Sequence, residues 1–333
     1  MIIVDTDKGL RRTRTNYLKA NRNAFKNWYC GVGFNFLSIK TSGNVYGSVC
    51  NQGGSLGNIY KKTLKLPKTP IRCPIKKCYC GSDLYILKSK RKEDFKYLPS
   101  RYTKDFNKVD YLKNEKIKTI VGYWGDGENH MRINWIMSKR CNYDCSYCPS
   151  SVHDNFSPHL SFEKFKIGFD SLLEQTTGKK LSIRFTGGEP TIKPDYMKIV
   201  RYVKSFDCEV HTNTNGTAHP SKLIELINAG GIRLSIHQEF VNHDKMIEKI
   251  EKIYTQKITG KFNIEYMLLP GRLKECKDFF DSLVPEFFPK LAYAITPLIQ
   301  KGEENDWKKK EDNDDIMYDY SEEELEVIEN GFS

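Results

Sequence analysis

From about residue 132 the chain alternates short apolar strands with helix-like stretches, and nothing else in the sequence constrains its fold as strongly. The strand-like runs are 132–137, 181–185, 209–212, 233–236, 263–268 and 291–296. Between them lie helix-like stretches at 161–174, 194–204, 220–228, 243–254 and 273–283. Strands that are each followed by a helix make right-handed crossovers, so the pattern predicts an α/β fold on a parallel sheet. Six such units are too few for a closed eightfold barrel. They match an open, partial (β/α)6 barrel of the TIM type.

The chain before this region reads differently. Residues 1–29 are basic and polar, with a helix expected over 16–27. Residues 30–83 are rich in Cys and Gly and hold strand-like pieces at 36–39 and 45–49. Ser42, Gly43 and Asn44 sit between those pieces and suggest a hairpin turn. Residues 84–129 are basic and irregular and read as a linker with some structure, and 130–300 hold the alternating core. The stretch 301–333 is an acidic tail, with 13 Asp/Glu against 4 Lys. Within it Ser321 and Glu324 have capping-box spacing, which predicts a short helix over 322–329.

The chain has 333 residues, 39% hydrophobic and 29% charged, enough for one large or two smaller domains with a real core. No run approaches the ~20 apolar residues that cross a bilayer. The first ten residues carry acids and no long apolar run, unlike a secretory leader. No membrane association is therefore expected, and the expected location is the cytoplasm. The net charge of +11 is uneven: residues 1–120 hold 26 Lys/Arg against 8 Asp/Glu. Such a basic half suits nucleic acid or another polyanion, and equally suits a solvated, lysine-rich surface.

Ten cysteines in such a chain point to metal rather than disulfides, because cytosolic thiols stay reduced. Cys30, Cys50, Cys73, Cys78 and Cys80 form one group, and Cys141, Cys145 and Cys148 another. Cys208 and Cys276 stand alone and read as small core residues. The second group has the spacing C-x3-C-x2-C directly after the first strand. Three thiolates on one short loop suit three corners of a cubane iron–sulfur cluster, which usually takes four cysteines. Three leave one iron open to a reactant. Zinc held by these cysteines and His153 is the alternative. The second strand ends in Gly187-Gly188-Glu189-Pro190. Paired glycines let backbone approach a ligand closely, Glu189 offers a carboxylate to an ammonium group, and Pro190 fixes the turn into the next helix.

C-x3-C-x-aromatic-C followed by Gly-Gly-Glu-Pro resembles the signature of the radical SAM superfamily, over roughly residues 130–300. The resemblance implies that Cys141, Cys145 and Cys148 hold a [4Fe–4S] cluster whose fourth iron binds the amino and carboxylate groups of S-adenosylmethionine. It implies that Gly187, Gly188 and Glu189 contact the amino group and that Tyr147 lies near the adenine. Thr214, Asn215 and Ser235 match the polar strand ends that meet the ribose or carboxylate. It further implies reductive cleavage of S-adenosylmethionine to a 5′-deoxyadenosyl radical, which takes hydrogen from a peptide, sugar or other small substrate. The electron donor would be a flavodoxin or ferredoxin. His211, His237 and Glu239 are candidates for later proton transfers, although a structural role is the plainer reading of each. All these positions fall at the C-terminal ends of expected strands, the face that carries the chemistry in such barrels.

The N-terminal cysteines, with the Gly-rich hairpin and Leu56-Gly57-Asn58-Ile59, resemble the auxiliary-cluster modules called SPASM or twitch domains. That resemblance implies a second [4Fe–4S] cluster on Cys30, Cys50, Cys73, Cys78 and Cys80. In the family this module follows the barrel, whereas here it precedes it. A zinc ribbon is the alternative for this region. The competing function for the whole chain is a non-catalytic zinc or iron–sulfur protein that binds nucleic acid through its basic N-terminal half.

Overall fold

The computed structural model describes residues 2–13, 15–78, 80–96, 115–120, 130–148, 153–283, 292–300, 316–317 and 319–332, with the single positions 112 and 122. These fall into two compact units. The first holds the described residues up to Asn134 and Ile167–Leu181; the second holds Trp135–Lys166, those of 182–301 and those from 316 on.

The first unit contains β1 (Ile2–Thr6), β2 (Gly9–Thr13), α1 (Thr15–Asn21), β3 (Tyr29–Cys30), β4 (Phe36–Ile39), β5 (Asn44–Tyr46), β6 (Ser55–Asn58), β7 (Ile71–Arg72), α2 (Gly81–Leu84), β8 (Lys88–Ser89) and β9 (Ile117–Ile120). Six strands form an antiparallel sheet in the order β2-β1-β9-β8-β3-β7. Its core gathers Ile2, Val4, Leu18, Phe25, Leu84, Ile86 and Ile120, and Cys30, Cys73 and Cys78 are buried among them. The β4–β5 hairpin expected around Gly43 is present, and β6 adds the Leu-Gly-Asn stretch to it.

Two local expectations change here. The helix expected over 16–27 ends at Asn21, and the Asn23 amide then donates back to the Lys19 carbonyl (2.8 Å). Asparagine side chains compete with the helix for backbone partners in this way. The strand expected over 45–49 stops at Tyr46, because the Val49 and Cys50 amides are taken by the buried carboxylate of Asp83 (2.7 and 2.8 Å). The structure expected within the stretch 84–129 includes β8 and β9, which join the sheet. In β9 the residues Ile117, Thr119 and Ile120 suit a pleated surface.

The second unit is built on β10 (His130–Ile136, entering from the first unit), β11 (Lys180–Thr186), β12 (Glu209–Thr214), β13 (Gly231–His237), β14 (Lys261–Leu268) and β15 (Ala292–Pro297). They lie in chain order, and β11 to β15 pair in parallel. Among the described residues β15 does not pair with β10, so the sheet is open, with the strand number of a partial barrel. Every expected helix of this region is present: α3 (Phe162–Gln175), α4 (Tyr196–Lys204), α5 (Pro220–Ala229), α6 (His243–Tyr254) and α7 (Leu273–Asp281). Each of the last four buries one stripe; in α4 it is Tyr196, Ile199, Val200 and Val203, the 3.6-residue spacing of an amphipathic helix. Burying such a side chain stabilises by roughly 1.5–3 kcal/mol. Cys208 and Cys276 are core residues, as expected.

Parallel strands usually read as continuous apolar runs because both faces are covered. Here they alternate. Ile183, Phe185, Val210, Leu234, Ile236, Ile264 and Tyr266 are buried, whereas Arg184, His211, Asn213, Arg233, Ser235, Asn263 and Glu265 between them stay partly exposed. One face of the sheet is therefore apolar and the other polar.

The tail helix α8 (Glu322–Asn330) has the expected capping box, with Ser321 Oγ accepting from the Glu324 amide (3.3 Å) and Glu324 Oε2 from the Ser321 amide (2.9 Å). It packs beside β15. The preceding Tyr320 is buried, its hydroxyl donating to the Leu268 carbonyl (2.6 Å) and accepting from the Leu298 amide (2.7 Å). No described helix is long and apolar enough to cross a membrane.

Candidate active site and metal-ligating cysteines

Four loops meet at the C-terminal ends of successive strands in the second unit. The three-cysteine loop follows β10, Gly187–Pro190 follows β11, Asn215 and Gly216 follow β12, and Gln238 and Glu239 follow β13. A parallel sheet forces this coincidence, because all its strands end on one side.

Glu189 ties three of these loops together. Its carboxylate is 1% exposed. One oxygen accepts from the Thr191 amide (2.9 Å), the Thr191 hydroxyl (2.6 Å) and the Thr214 hydroxyl (2.8 Å); the other accepts from the Asn215 amide (2.6 Å). Burial pushes its carboxyl up, and these donors pull it back. The Glu189 amide in turn donates to the Arg140 carbonyl, at the threshold of the cysteine loop (2.9 Å). Gly188 lets this happen: its φ is +53°, and a Cβ there would lie 2.0 Å from the Arg140 carbonyl oxygen.

Asn215 continues the network. Its side-chain amide donates to Asn142 Oδ1 (2.9 Å) and lies 4.0 Å from Cys141 Sγ. Asn142 donates to Thr217 Oγ1 (3.0 Å), and the Tyr143 amide points at Cys141 Sγ (3.4 Å). On the other side of the loop, Glu239 accepts from the Ser146 amide (2.7 Å) and from its hydroxyl. Tyr147 hydrogen-bonds His237 Nδ1 through its hydroxyl (2.6 Å) and lies parallel to the imidazole, with ring centroids 6.0 Å apart. Cys145 Sγ is 3.7 Å from the same nitrogen. Burial lowers His237 to about 4, so its ring is neutral near pH 7. Burial raises Cys145 to about 12 and Cys141 in the same direction.

The expected site residues Cys141, Cys145, Cys148, Tyr147, Gly187, Gly188, Glu189, Thr214 and Asn215 thus lie on neighbouring strand ends. Ser235 lies further back on β13, in register with Glu265. His211 also lies below the strand end, beside Arg184. His153, weighed as a zinc ligand, is bonded through Nε2 to the Tyr143 carbonyl (2.5 Å). Asn142, Ser146 and Thr217 were not singled out by sequence; only their position inside or beside the motifs marked them.

Soft thiolates clustered on one loop, with N–H groups directed at sulfur, are a donor set that suits iron–sulfur ligation. As the side chains stand, no three His, Cys, Asp or Glu groups among the described residues converge closely enough to coordinate one ion.

Residues 135–271 match the family model of the Radical SAM superfamily. A GTP 3′,8-cyclase of Campylobacter jejuni is 28% identical over 131 residues, 38% of this chain and 39% of the relative. This chain therefore spans about two fifths of that relative's length. A probable GTP 3′,8-cyclase of Pyrococcus horikoshii is 24% identical over 225 residues, 58% of this chain and 70% of the relative. Among solved structures, Streptococcus suis SuiB bound to precursor peptide SuiA matches with a TM-score of 0.38 and 16% identity, covering 49% of this chain and 38% of that chain. The matched stretch, residues 135–271, carries the three-cysteine loop and the Gly-Gly-Glu-Pro turn.

Proposed function

We propose that Cys141, Cys145 and Cys148 hold a [4Fe–4S] cluster, and that the protein uses it to cleave S-adenosylmethionine and start radical chemistry on a small polar substrate. The observation that carries this reading is the hydrogen-bonded network of Glu189, Asn215 and Asn142, which fixes the cysteine loop against the two strand ends beside it. When bound and reduced, such a cluster supplies one electron for breaking the S–C5′ bond, which yields a 5′-deoxyadenosyl radical.

The protein's own groups position and exclude. Glu189 takes three protein donors on one oxygen and a single one on the other, and in this reading it joins the backbone of Gly187 and Gly188 in meeting the amino group of S-adenosylmethionine. Tyr147, held by His237, is the aromatic wall for the adenine. Thr214, Asn215 and Ser235 supply polar contacts along the strand ends. A neutral His237 adds no charge that would attract water. The polar sheet face, with Arg184, Asn213, Arg233, Asn263 and Glu265, suits a substrate rich in hydrogen-bonding groups, such as a sugar, a nucleotide or a peptide backbone. GTP is one candidate, because relatives are named for it. In the first unit, Cys30, Cys50, Cys73, Cys78 and Cys80 are the ligands of a second metal centre, and a flavodoxin or ferredoxin is the electron donor.

The test is anaerobic reconstitution with iron and sulfide, reduction, addition of S-adenosylmethionine and assay of 5′-deoxyadenosine. Wild type is expected to form it and Cys148→Ala is not. A folded wild type that takes up zinc alone, forms no deoxyadenosine and binds nucleic acid in a salt-sensitive way would replace this reading with that of a metal-bearing binding protein.

A further inference from the structure

A lysine lies in the middle of the N-terminal cysteines. Lys88 is 2% exposed, and in the β3–β8 pair it stands directly opposite Cys30. Directly opposed residues point their side chains to the same face of a sheet. Its ammonium donates to the carbonyls of Asp83 and Ile86, the latter at 3.1 Å, and lies 5.4 Å from the centre of the Phe25 ring. It forms no ion pair with a carboxylate among the described residues. The nearby Asp83 carboxylate is engaged by the Val49 and Cys50 amides.

An ammonium buried beside Phe25 and Ile86 is costly unless opposite charge stands near it. The surrounding groups able to carry that charge are chiefly thiols. Cys30, Cys73 and Cys78 are all buried in the same core as Phe25 and Ile86. Thiolates formed when a metal replaces the thiol protons would bring negative charge beside Lys88.

We propose that Lys88 is the resident counter-charge of a metal–thiolate centre formed by Cys30, Cys73 and Cys78, completed by Cys50 or Cys80, and that it does not itself ligate the metal. This rests on reading the N-terminal cysteines as metal ligands. Lys88 offsets one unit of the charge that the thiolates bring into an apolar core, and so raises the affinity of the site for a cation-centred cluster or ion. Partners outside the ligand shell commonly account for ~10–100-fold in metal affinity.

The experiment uses the full chain carrying Cys141→Ala, Cys145→Ala and Cys148→Ala, so that only the N-terminal group can bind. Cobalt(II) alone is titrated anaerobically and followed by its thiolate charge-transfer absorbance. Lys88→Gln keeps donors for the two carbonyls and removes the charge; Lys88→Arg keeps the charge. Cobalt binding ~10–100-fold weaker in Lys88→Gln and largely restored in Lys88→Arg is expected. The metal-free Lys88→Gln chain should melt no lower than the metal-free parent. Unchanged cobalt affinity in Lys88→Gln overturns the role of Lys88 alone. So does a Lys88→Gln chain that is already unfolded or clearly destabilised without metal, which assigns the lysine to packing. A parent that folds yet shows no thiolate–cobalt band overturns the N-terminal metal site itself, and this inference with it.

Discussion

Glu189 illustrates how one side chain does work that its motif does not announce. In sequence it is a carboxylate in a ligand-binding turn; in the structure its two oxygens accept four protein hydrogen bonds that join the ends of β11 and β12. Glu189→Gln puts an amide N–H against one of those donors. A buried donor left without an acceptor costs about 1–3 kcal/mol, so a loss of that size is expected in urea denaturation of the metal-free protein. An unchanged midpoint would show that the network is dispensable. Glu239 acts on the same loop from the other side, through Ser146. Glu239→Ala is expected to leave the fold intact and lower the iron retained after reconstitution, counted per chain against wild type. Gly188→Ala places a Cβ onto the Arg140 carbonyl at a φ that L-residues rarely adopt; such strain costs of order 1–3 kcal/mol before the clash is counted. Its expected signature is loss of thermal stability together with loss of iron.

At the scale of elements, helix existence in the second unit was legible from the spacing of apolar residues, and helix ends from capping residues. Ser321 and Glu324 form the box that their spacing announced. Ser321→Ala removes the side-chain acceptor for the Glu324 amide, and a loss of about 1 kcal/mol is expected by thermal melting. The strands were legible too, although β12 and β13 run past their expected ends, because polar residues such as Asn213 and His237 extend the ladder toward the site. What failed in the first unit failed for a common reason. Helix α1 ends early and β5 stops short where Asn23 and Asp83 bond the backbone. Asp83 lies more than thirty positions from the amides it takes, so no local pattern contains it.

For the whole molecule, the acidic tail is the clearest lesson. By composition 319–332 looks like a solvated appendage, yet Tyr320 links the Leu298 amide to the Leu268 carbonyl inside the second unit. Glu324 also accepts from the Gly271 amide (2.7 Å). Ending the chain after residue 318 removes these partners and the helix beside β15. The truncated protein is expected to express as insoluble or markedly less stable material; full solubility with an unchanged melting temperature would contradict the packing described here.

The sequence by itself determined the strand–helix alternation, the parallel sheet and the side of that sheet on which the cysteine loop and the Gly-Gly-Glu-Pro turn emerge. These follow from local periodicity and from the rule that parallel strands all end on one face. Only the tertiary structure decided that Asn215 reaches Asn142, that Glu239 holds Ser146, that β8 and β9 complete an antiparallel sheet, and that Lys88 faces Cys30. Each of these joins residues distant in sequence through hydrogen bonds, strand register or burial. Such pairings depend on how completed elements pack, and residue type and spacing carry no record of them.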